Sequence, residues 1–250
     1  MIKLSEISTK APEGFTKKAT KKKTEKMAER IGDLLEMMQA GKEHNILIVF
    51  QGMDSSGKDG ASHNVFKYCS PTAVHAYGFK KPTDEEYAHD FLWRAHKQVP
   101  AKGEIKIFNR SHYEDVLIQR VHKWIDEERV TKRINAINAF EELLVMDNNT
   151  TILKFYMHLS KERQGEKLQE RIDLARKNYK HNDGDWDERE HWDEYRKCYE
   201  DVINRSSIPW HIAPVDDRYY RDYFIASKVL ETLEGFNMEW PKLDSERFNG

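Results

Sequence analysis

Apolar and polar positions along this chain keep two rhythms, and the switches between them mark out its elements. Met27, Ile31, Leu34, Leu35 and Met38 recur at spacings of three and four, which predicts an amphipathic helix from about Lys18 to Ala40, stopped by Gly41. The run Ile46-Leu47-Ile48-Val49-Phe50 is of strand length and apolar throughout. Beyond it the pattern predicts a helix over Gly60–Tyr68, a short strand over Val74–Tyr77, a helix over Asp84–Lys97 and a strand over Glu104–Phe108. Helices over Ser111 to about Trp124 and Thr131–Met146 precede a nearly continuous apolar strand, Thr151–Leu159. A long charged helix over Lys161–Lys180, a turn at Asn182-Asp183-Gly184-Asp185 and a helix over Glu188–Asn204 follow. Trp210–Val215 reads as the last strand and Asp217–Gly235 as the last helix. Residues 1–16, with Pro12 and Gly14, keep no period and read as an arm on the surface.

Strands buried on both faces and separated by helices give an α/β fold: a central parallel sheet of about five strands flanked by helices, with the ligand crevice at the strands' carboxyl ends. No repeat, linker or composition break divides the chain, so a single domain over 1–250 is expected, with an N-terminal arm and helix over 1–44. Residues 161–189 are too charged to pack as an ordinary crossover and read as a helical lid over the crevice.

Composition narrows the class. Charged residues make up 34% of the 250 and apolar ones 38%, a balance that suits a highly charged surface. The apolar runs are too short for a membrane span and no early segment resembles a signal peptide, so a cytoplasmic protein is expected. A net charge of −2 argues against a nucleic-acid binder, and the lysine run between Lys17 and Lys26 reads as a solvated helix face. Two cysteines, Cys69 and Cys198, lack the spacing of a zinc site or disulfide framework.

The chemistry begins where the first strand ends. Gly52-Met53-Asp54-Ser55-Ser56-Gly57-Lys58-Asp59-Gly60 joins a predicted strand to a predicted helix, the context of a phosphate-binding P-loop. Gly52 and Gly57 let backbone N–H groups, those of Ser55 and Ser56 among them, curl around a phosphate, while Lys58 adds a point charge. The Ser or Thr that usually follows the lysine and ligates magnesium is replaced by Asp59, which reads as a charge complementing the helix dipole. Asp54, inside the loop, faces the phosphate cradle and implies a hard cation, magnesium or alternatively manganese, between carboxylate and phosphate. At the end of the Glu104–Phe108 strand, where an Asp is common, stands Asn109, and Arg110 beside it is placed to reach a transferring phosphate.

These residues carry a resemblance. Gly52-x-Asp54-x-x-Gly57-Lys58, Phe91-Leu92-Trp93-Arg94, Pro100-x-x-Gly103, Phe108-Asn109-Arg110-Ser111-x-Tyr113, Glu188-Arg189-x-x-Trp192-Asp193-x-Tyr195, Pro209-Trp210 and Asp216-Asp217-Arg218 resemble, in order, the polyphosphate kinase 2 family. The resemblance implies a thymidylate-kinase-like P-loop kinase fold, a mobile lid, and magnesium-dependent, reversible phosphoryl transfer between inorganic polyphosphate and nucleotides. Asn109-Arg110 followed by Ser111-His112-Tyr113-Glu114-Asp115 is similar to the subgroup that accepts both mono- and diphosphates, which implies AMP and ADP, with GMP and GDP, as acceptors.

Asp54, Lys58, Asn109 and Arg110 then form the expected catalytic set. Arg163 and Arg171 resemble family lid arginines that contact phosphates; Lys177 and Lys180 join them as candidates, though a solvated charged helix explains those lysines and Arg176 equally well. Lys81 and Arg94 rank above Lys80 as linings of a polyanion channel. Asn109, Glu114, Asp217 and Arg218 are the candidates for the nucleotide end, with helix capping an equal account of Asp216 or Asp217. A homo-oligomer, dimer or tetramer, is expected through the N-terminal helix or the Thr131–Met146 helix. Two other readings stay open at this point: an ATP-dependent nucleoside monophosphate kinase, and a polyanion-binding P-loop protein without turnover.

Overall fold

A computed structural model describes residues 1–245, 247 and 248. Its elements run α1 (Lys17–Gly41), β1 (Asn45–Gln51), α2 (Lys58–Phe66), β2 (Val74–Gly78), α3 (Asp84–Tyr87), α4 (Trp93–His96), β3 (Ile105–Asn109), α5 (Glu114–Val121), α6 (Glu127–Asn148), β4 (Thr150–His158), α7 (Lys161–Asp173), α8 (Gly184–Glu190), α9 (Trp192–Arg205), β5 (Trp210–Pro214) and α10 (Arg218–Gly235). The five strands form one parallel sheet in the order β2-β3-β1-β4-β5. β1 is central and wholly buried, as its apolar run requires. Its side chains alternate between two cores: Ile46, Ile48 and Phe50 pack with Ile31, Leu35 and Met38 of α1 and Ile225 and Val229 of α10, while Leu47 and Val49 face Val116 of α5, Ile137 of α6 and Tyr199 of α9. Crossovers leave β1 toward β2 on one side and reach β4 on the other, so a crevice opens beyond the carboxyl end of β1.

Several expected boundaries move for local reasons. The segment over Asp84–Lys97 is two short helices rather than one. Thr83 starts α3 with a capping box to Glu86, and the Asp90 carboxylate accepts from the Leu92 N–H at 3.0 Å, an Asx turn that competes with helix continuation. The charged Lys161–Lys180 helix stops at Asp173, where the Asn178 side-chain amide donates to the carbonyls of Arg171 and Ile172, both at 2.8 Å; residues Ala175–Lys180 continue as a 3-10 turn. His191 divides the expected Glu188–Asn204 helix into the end of α8 and all of α9. The arm over residues 1–16 is no loose surface strand. Leu4 is buried in the core, and the N–H groups of Ile2 and Leu4 donate to the Asn204 and Glu200 side chains of α9, both at 2.7 Å.

The apolar strand β4 carries one charged residue, Lys154, and it is fully buried. Its ammonium donates to the buried Glu141 carboxylate of α6 and, at 2.8 Å, to the Tyr113 hydroxyl, which itself donates to Glu141 at 3.0 Å. His112 Nε2 lies 3.3 Å from the same carboxylate. Burial opposes ionisation of Glu141, but His112 and Lys154 outweigh it and hold the carboxyl below the usual range. Among the described residues no helix is long and apolar enough to cross a membrane.

A buried pair that loses one member leaves an uncompensated charge, at a cost of about 3–5 kcal/mol, whereas an apolar replacement of both is near neutral. Glu141→Ala should therefore destabilise the protein by that amount in urea denaturation, while Glu141→Leu combined with Lys154→Met restores most of it. Equal stabilities for the single and double variants would contradict this account of the core.

Candidate active site

Where β1 ends, the chain has no room for a side chain. A Cβ on Gly52, whose φ is 150°, would stand 2.9 Å from both Cβ and the carbonyl oxygen of Met157 on β4. Ser55 and Gly57 follow with φ of 67° and 88°, and these left-handed residues curl the loop so that Gly57 caps α2. Lys58 folds back over the loop, its ammonium donating to the carbonyls of Gly52 at 2.9 Å and Met53 at 3.2 Å. Burial foremost, then the neighbouring Arg110 charge, push this ammonium down to about 8 against the pull of Asp54, Glu114 and Asp59.

The end of β3 meets that loop. The Arg110 N–H donates to the Phe50 carbonyl at 3.0 Å, extending the β1–β3 ladder by one bond, and the residue then takes a left-handed φ of 61°, rare for a long side chain. The turn aims the guanidinium at Asp54, to which it donates, with Glu114 3.6 Å away. Burial disfavours the Asp54 carboxylate, but Arg110 and Lys58 prevail and hold it below the ordinary range. For Glu114 burial wins over the same two cations and its carboxyl is raised. Asn109 donates through its side-chain amide to Asp59. The two places where this chain departs from the usual P-loop pattern are thus in contact, and a second carboxylate at 109 would confront Asp59 directly.

Beyond these strand ends lies an open cavity of about 800 Å³, floored by Asp54 to Gly60. Its walls carry Lys58, Lys80, Arg110, Arg163, Lys167, Arg171, Arg176, Lys177, Lys180, Arg218 and Arg221, against the carboxylates of Asp54, Asp59, Glu170 and Asp216. A small annex of about 30 Å³ on the far side of the Asp54–Arg110 pair is lined by Glu114, Gln164, Glu188, Tyr195 and Tyr199. The segment expected as a lid forms one wall. Four of its cations are paired locally: Arg163 with Glu166, Arg171 with Asp185, and Lys167 and Lys177 both with Glu170, which also lies 3.9 Å from Arg218. Hydrogen bonds from Lys167 and Lys177 pull the Glu170 carboxyl down to about 2.

Most expected site residues are brought together, and three are not. Lys81 is exposed and outside the cavity; its neighbour Lys80 lines it instead. Arg94 is 5% exposed, its guanidinium donating to Asp115 and to the Lys80 carbonyl, both at 2.9 Å, so it braces the Lys80 segment from behind. The Asp217 carboxylate accepts from the Ala11 N–H at 3.1 Å and ties down the arm, while Asp216 holds Thr9 and the N–H of Ser160, the cap of α7. Sequence reasoning passed over Lys167 and Arg221, and left Arg176 undecided. Arg221 stands one helical turn after Arg218, and that spacing was the signal for it.

The profile of the Polyphosphate kinase 2 family matches residues 14–241. This chain belongs to the polyphosphate kinase 2 family. Among similar proteins, an AMP/ADP-polyphosphate phosphotransferase of Meiothermus ruber is 42% identical over 237 residues, spanning 94% of this chain and 88% of that protein. An ADP-polyphosphate phosphotransferase of Rhodopseudomonas palustris is 36% identical over 234 residues, spanning 88% and 81%. The crystal structure of polyphosphate kinase 2 from Arthrobacter aurescens TC1 superposes with a TM-score of 0.94 at 36% identity, over 98% of this chain and 89% of that one. The P-loop kinase fold expected for the polyphosphate kinase 2 family is the fold observed.

The lowered Lys58 ammonium predicts a pH-dependent affinity of the loop for anions. A phosphate in the loop favours the ammonium, so only the protonated free protein binds well, and the affinity declines as pH rises through about 8. In this polyphosphate kinase 2 protein the Kd for inorganic tripolyphosphate should hold steady below that point and weaken by up to about tenfold per pH unit above it. Calorimetric titration across the range measures this; a flat profile would mean that Lys58 stays charged throughout.

Proposed function

We propose that this protein is a cytoplasmic polyphosphate:nucleotide phosphotransferase that moves the terminal phosphoryl group of inorganic polyphosphate onto AMP and ADP, and onto GMP and GDP, reversibly. The observation that carries the reading is the cationic cavity opening directly onto the P-loop: eleven basic side chains against four carboxylates suit a long polyanion rather than a single phosphate. The similarity to proteins named for AMP/ADP and ADP as partners of polyphosphate supports the acceptors.

In this mechanism the P-loop N–H groups, Lys58 and Arg110 hold the donor's end phosphate. Arg171 and its lid neighbours Lys177 and Lys180 hold the phosphates behind it. A terminal phosphate oxygen of the nucleotide attacks the end phosphorus in line; the new P–O bond forms as the bond to the next phosphate breaks, and polyphosphate leaves one unit shorter. Arg110, fixed between Asp54 and Glu114, stands where charge gathers on the transferring group. Lid closure excludes water and limits hydrolysis of the donor. Among the described residues no group of three or more potential ligands could cage a metal. Magnesium suits such a site, because it takes one or two carboxylates, here Asp54, and completes its shell with phosphate oxygens and water; manganese would fit likewise. When bound it would neutralise phosphate charge.

Self-association fits α6 better than α1. The apolar face of α1 is spent on the core, whereas Leu143, Val145 and Met146 of α6 are 43%, 45% and 78% exposed.

A phosphorus NMR time course with magnesium and long-chain polyphosphate should show ATP forming from ADP and, through ADP, from AMP. Reaction only in a control of ATP plus AMP would replace this reading with an ordinary nucleotide kinase. Asp54→Asn and Lys58→Ala should each lower kcat by at least about a hundredfold with unchanged melting temperature; near-wild-type turnover in either would sink the assignment of the loop.

A further inference from the structure

Arg221, on the first turn of α10, is 3% exposed and yet borders the cavity. Two of its five N–H donors are accounted for. Nε and Nη2 both donate to Oδ1 of Asp222, at 2.8 and 2.6 Å, and Oδ2 of the same carboxylate accepts from the Asn64 amide of α2 at 2.7 Å. Asp222 is thereby locked between two helices and fixes the plane of the guanidinium. Nη1 has no acceptor among the described residues. It lies against the start of α2: a Cβ on Gly57 would overlap Nη1, and one on Gly60 would stand 3.5 Å from it. Gly57 is therefore required twice, for its left-handed φ and for the space that Nη1 fills.

Nη1 opens onto the cavity with its donors free, and it lies at the place where the first N–H groups of α2 also lack helical partners. Asn64 and Asp222 serve to hold it there. Nothing in the P-loop pattern calls for an arginine on this side, opposite Arg110. Here, however, the Ser or Thr hydroxyl that usually follows the lysine is absent, and Asp59 is engaged by Asn109.

We propose that Arg221 is a phosphate-binding residue of this site, with Nη1 donating to the phosphoryl group seated at the N-terminus of α2, and with Asp222 and Asn64 as its positioning residues. This rests on the reading of the cavity as a polyphosphate site. Arg221 and Arg110 then grip the seated phosphate from opposite flanks, and Arg221 acts on the donor rather than on the acceptor nucleotide.

Arg221→Lys tests the assignment, because it keeps the charge and the pairing with Asp222 but withdraws the free donor. Calorimetry with inorganic tripolyphosphate, steady-state kinetics with polyphosphate and ADP, and a thermal melt are run on the full chain. The expected result is a Kd for tripolyphosphate and a KM for polyphosphate raised about tenfold, with the KM for ADP and the melting temperature unchanged. Asn64→Ala should raise the same two constants by a smaller factor. Constants within twofold of wild type in Arg221→Lys would overturn the proposal, as would a parallel rise in both KM values with a lowered melting temperature, the mark of a purely structural residue. Wild type that neither binds tripolyphosphate nor makes ATP from it refutes the functional reading instead, and the same comparison of Kd values with ATP as the phosphate-bearing probe then decides Arg221.

Discussion

The ion pair between Asp54 and Arg110 joins the loop after β1 to the loop after β3, and the arrangement of the site follows from it. Each partner is placed by backbone geometry that only the sheet makes affordable. Asp54 stands in a loop whose exit from β1 is pressed against Met157, and Arg110 occupies a left-handed conformation held by its N–H bond to Phe50. A long side chain in that region costs about 1–2 kcal/mol, and the ladder between β1 and β3 sustains it. The pair also divides the crevice, with the large cationic cavity on one side and the annex bearing Glu114 on the other. Lys58, Asp54 and Glu114 feel the same guanidinium, which helps lower the first two and draws Glu114 back toward ionisation without overcoming its burial.

Support for this arrangement reaches well behind it. Ser111, the residue after Arg110, accepts a hydrogen bond from Gln51 at the end of β1 at 3.0 Å, and Gln51 accepts from Tyr199 of α9 at 3.3 Å. Next in sequence, His112 and Tyr113 enter the buried cluster of Glu141 and Lys154. The strained turn at 110 is therefore followed immediately by three residues fixed in the core, which removes the freedom that would let it relax. The arm plays a similar part at the other rim, where Asp216 holds both Thr9 and the cap of α7.

The sheet, its flanking helices and the P-loop were legible in the sequence because each rests on local signals: a continuous apolar strand, period-3.6 helices and glycines at left-handed positions. What escaped was tertiary. Arg94 looked like a channel residue because a basic side chain near the crevice usually faces it, but burial beside Asp115 depends on α5, which no local pattern reveals. Lys80 and Lys81 differ only in which of two adjacent side chains turns inward at the end of β2. Asn109 and Asp59 were each visible as departures from a motif, and their contact follows from the pairing of Phe50 with Asn109, a register that emerges only once β1 and β3 are known to be neighbours. Helix ends were misjudged for a related reason. Asp90 and Asn178 stop helices through side-chain hydrogen bonds that compete with a periodicity continuing past them.

The wall built from residues 161–189 shows how a strongly cationic cavity avoids the cost of its own charge. Eleven basic groups in one crevice repel one another, and Glu166, Glu170 and Asp185 offset that repulsion by pairing with lid cations. Glu170 is the most heavily engaged. It collects Lys167 and Lys177 and lies near Arg218, bridging α7, the 3-10 turn and α10 much as a bound phosphate would. A polyanion that enters must exchange these carboxylates for phosphates, so its gain is the difference between two sets of ion pairs rather than the full attraction of bare cations. One phosphate exchanges few of these contacts, whereas a chain exchanges many at once along the length of the lid. A longer polyanion would thus gain more from this exchange than a single phosphate, and Arg221, paired among the described residues with the adjacent Asp222 alone and keeping one arm free, lies outside that competition.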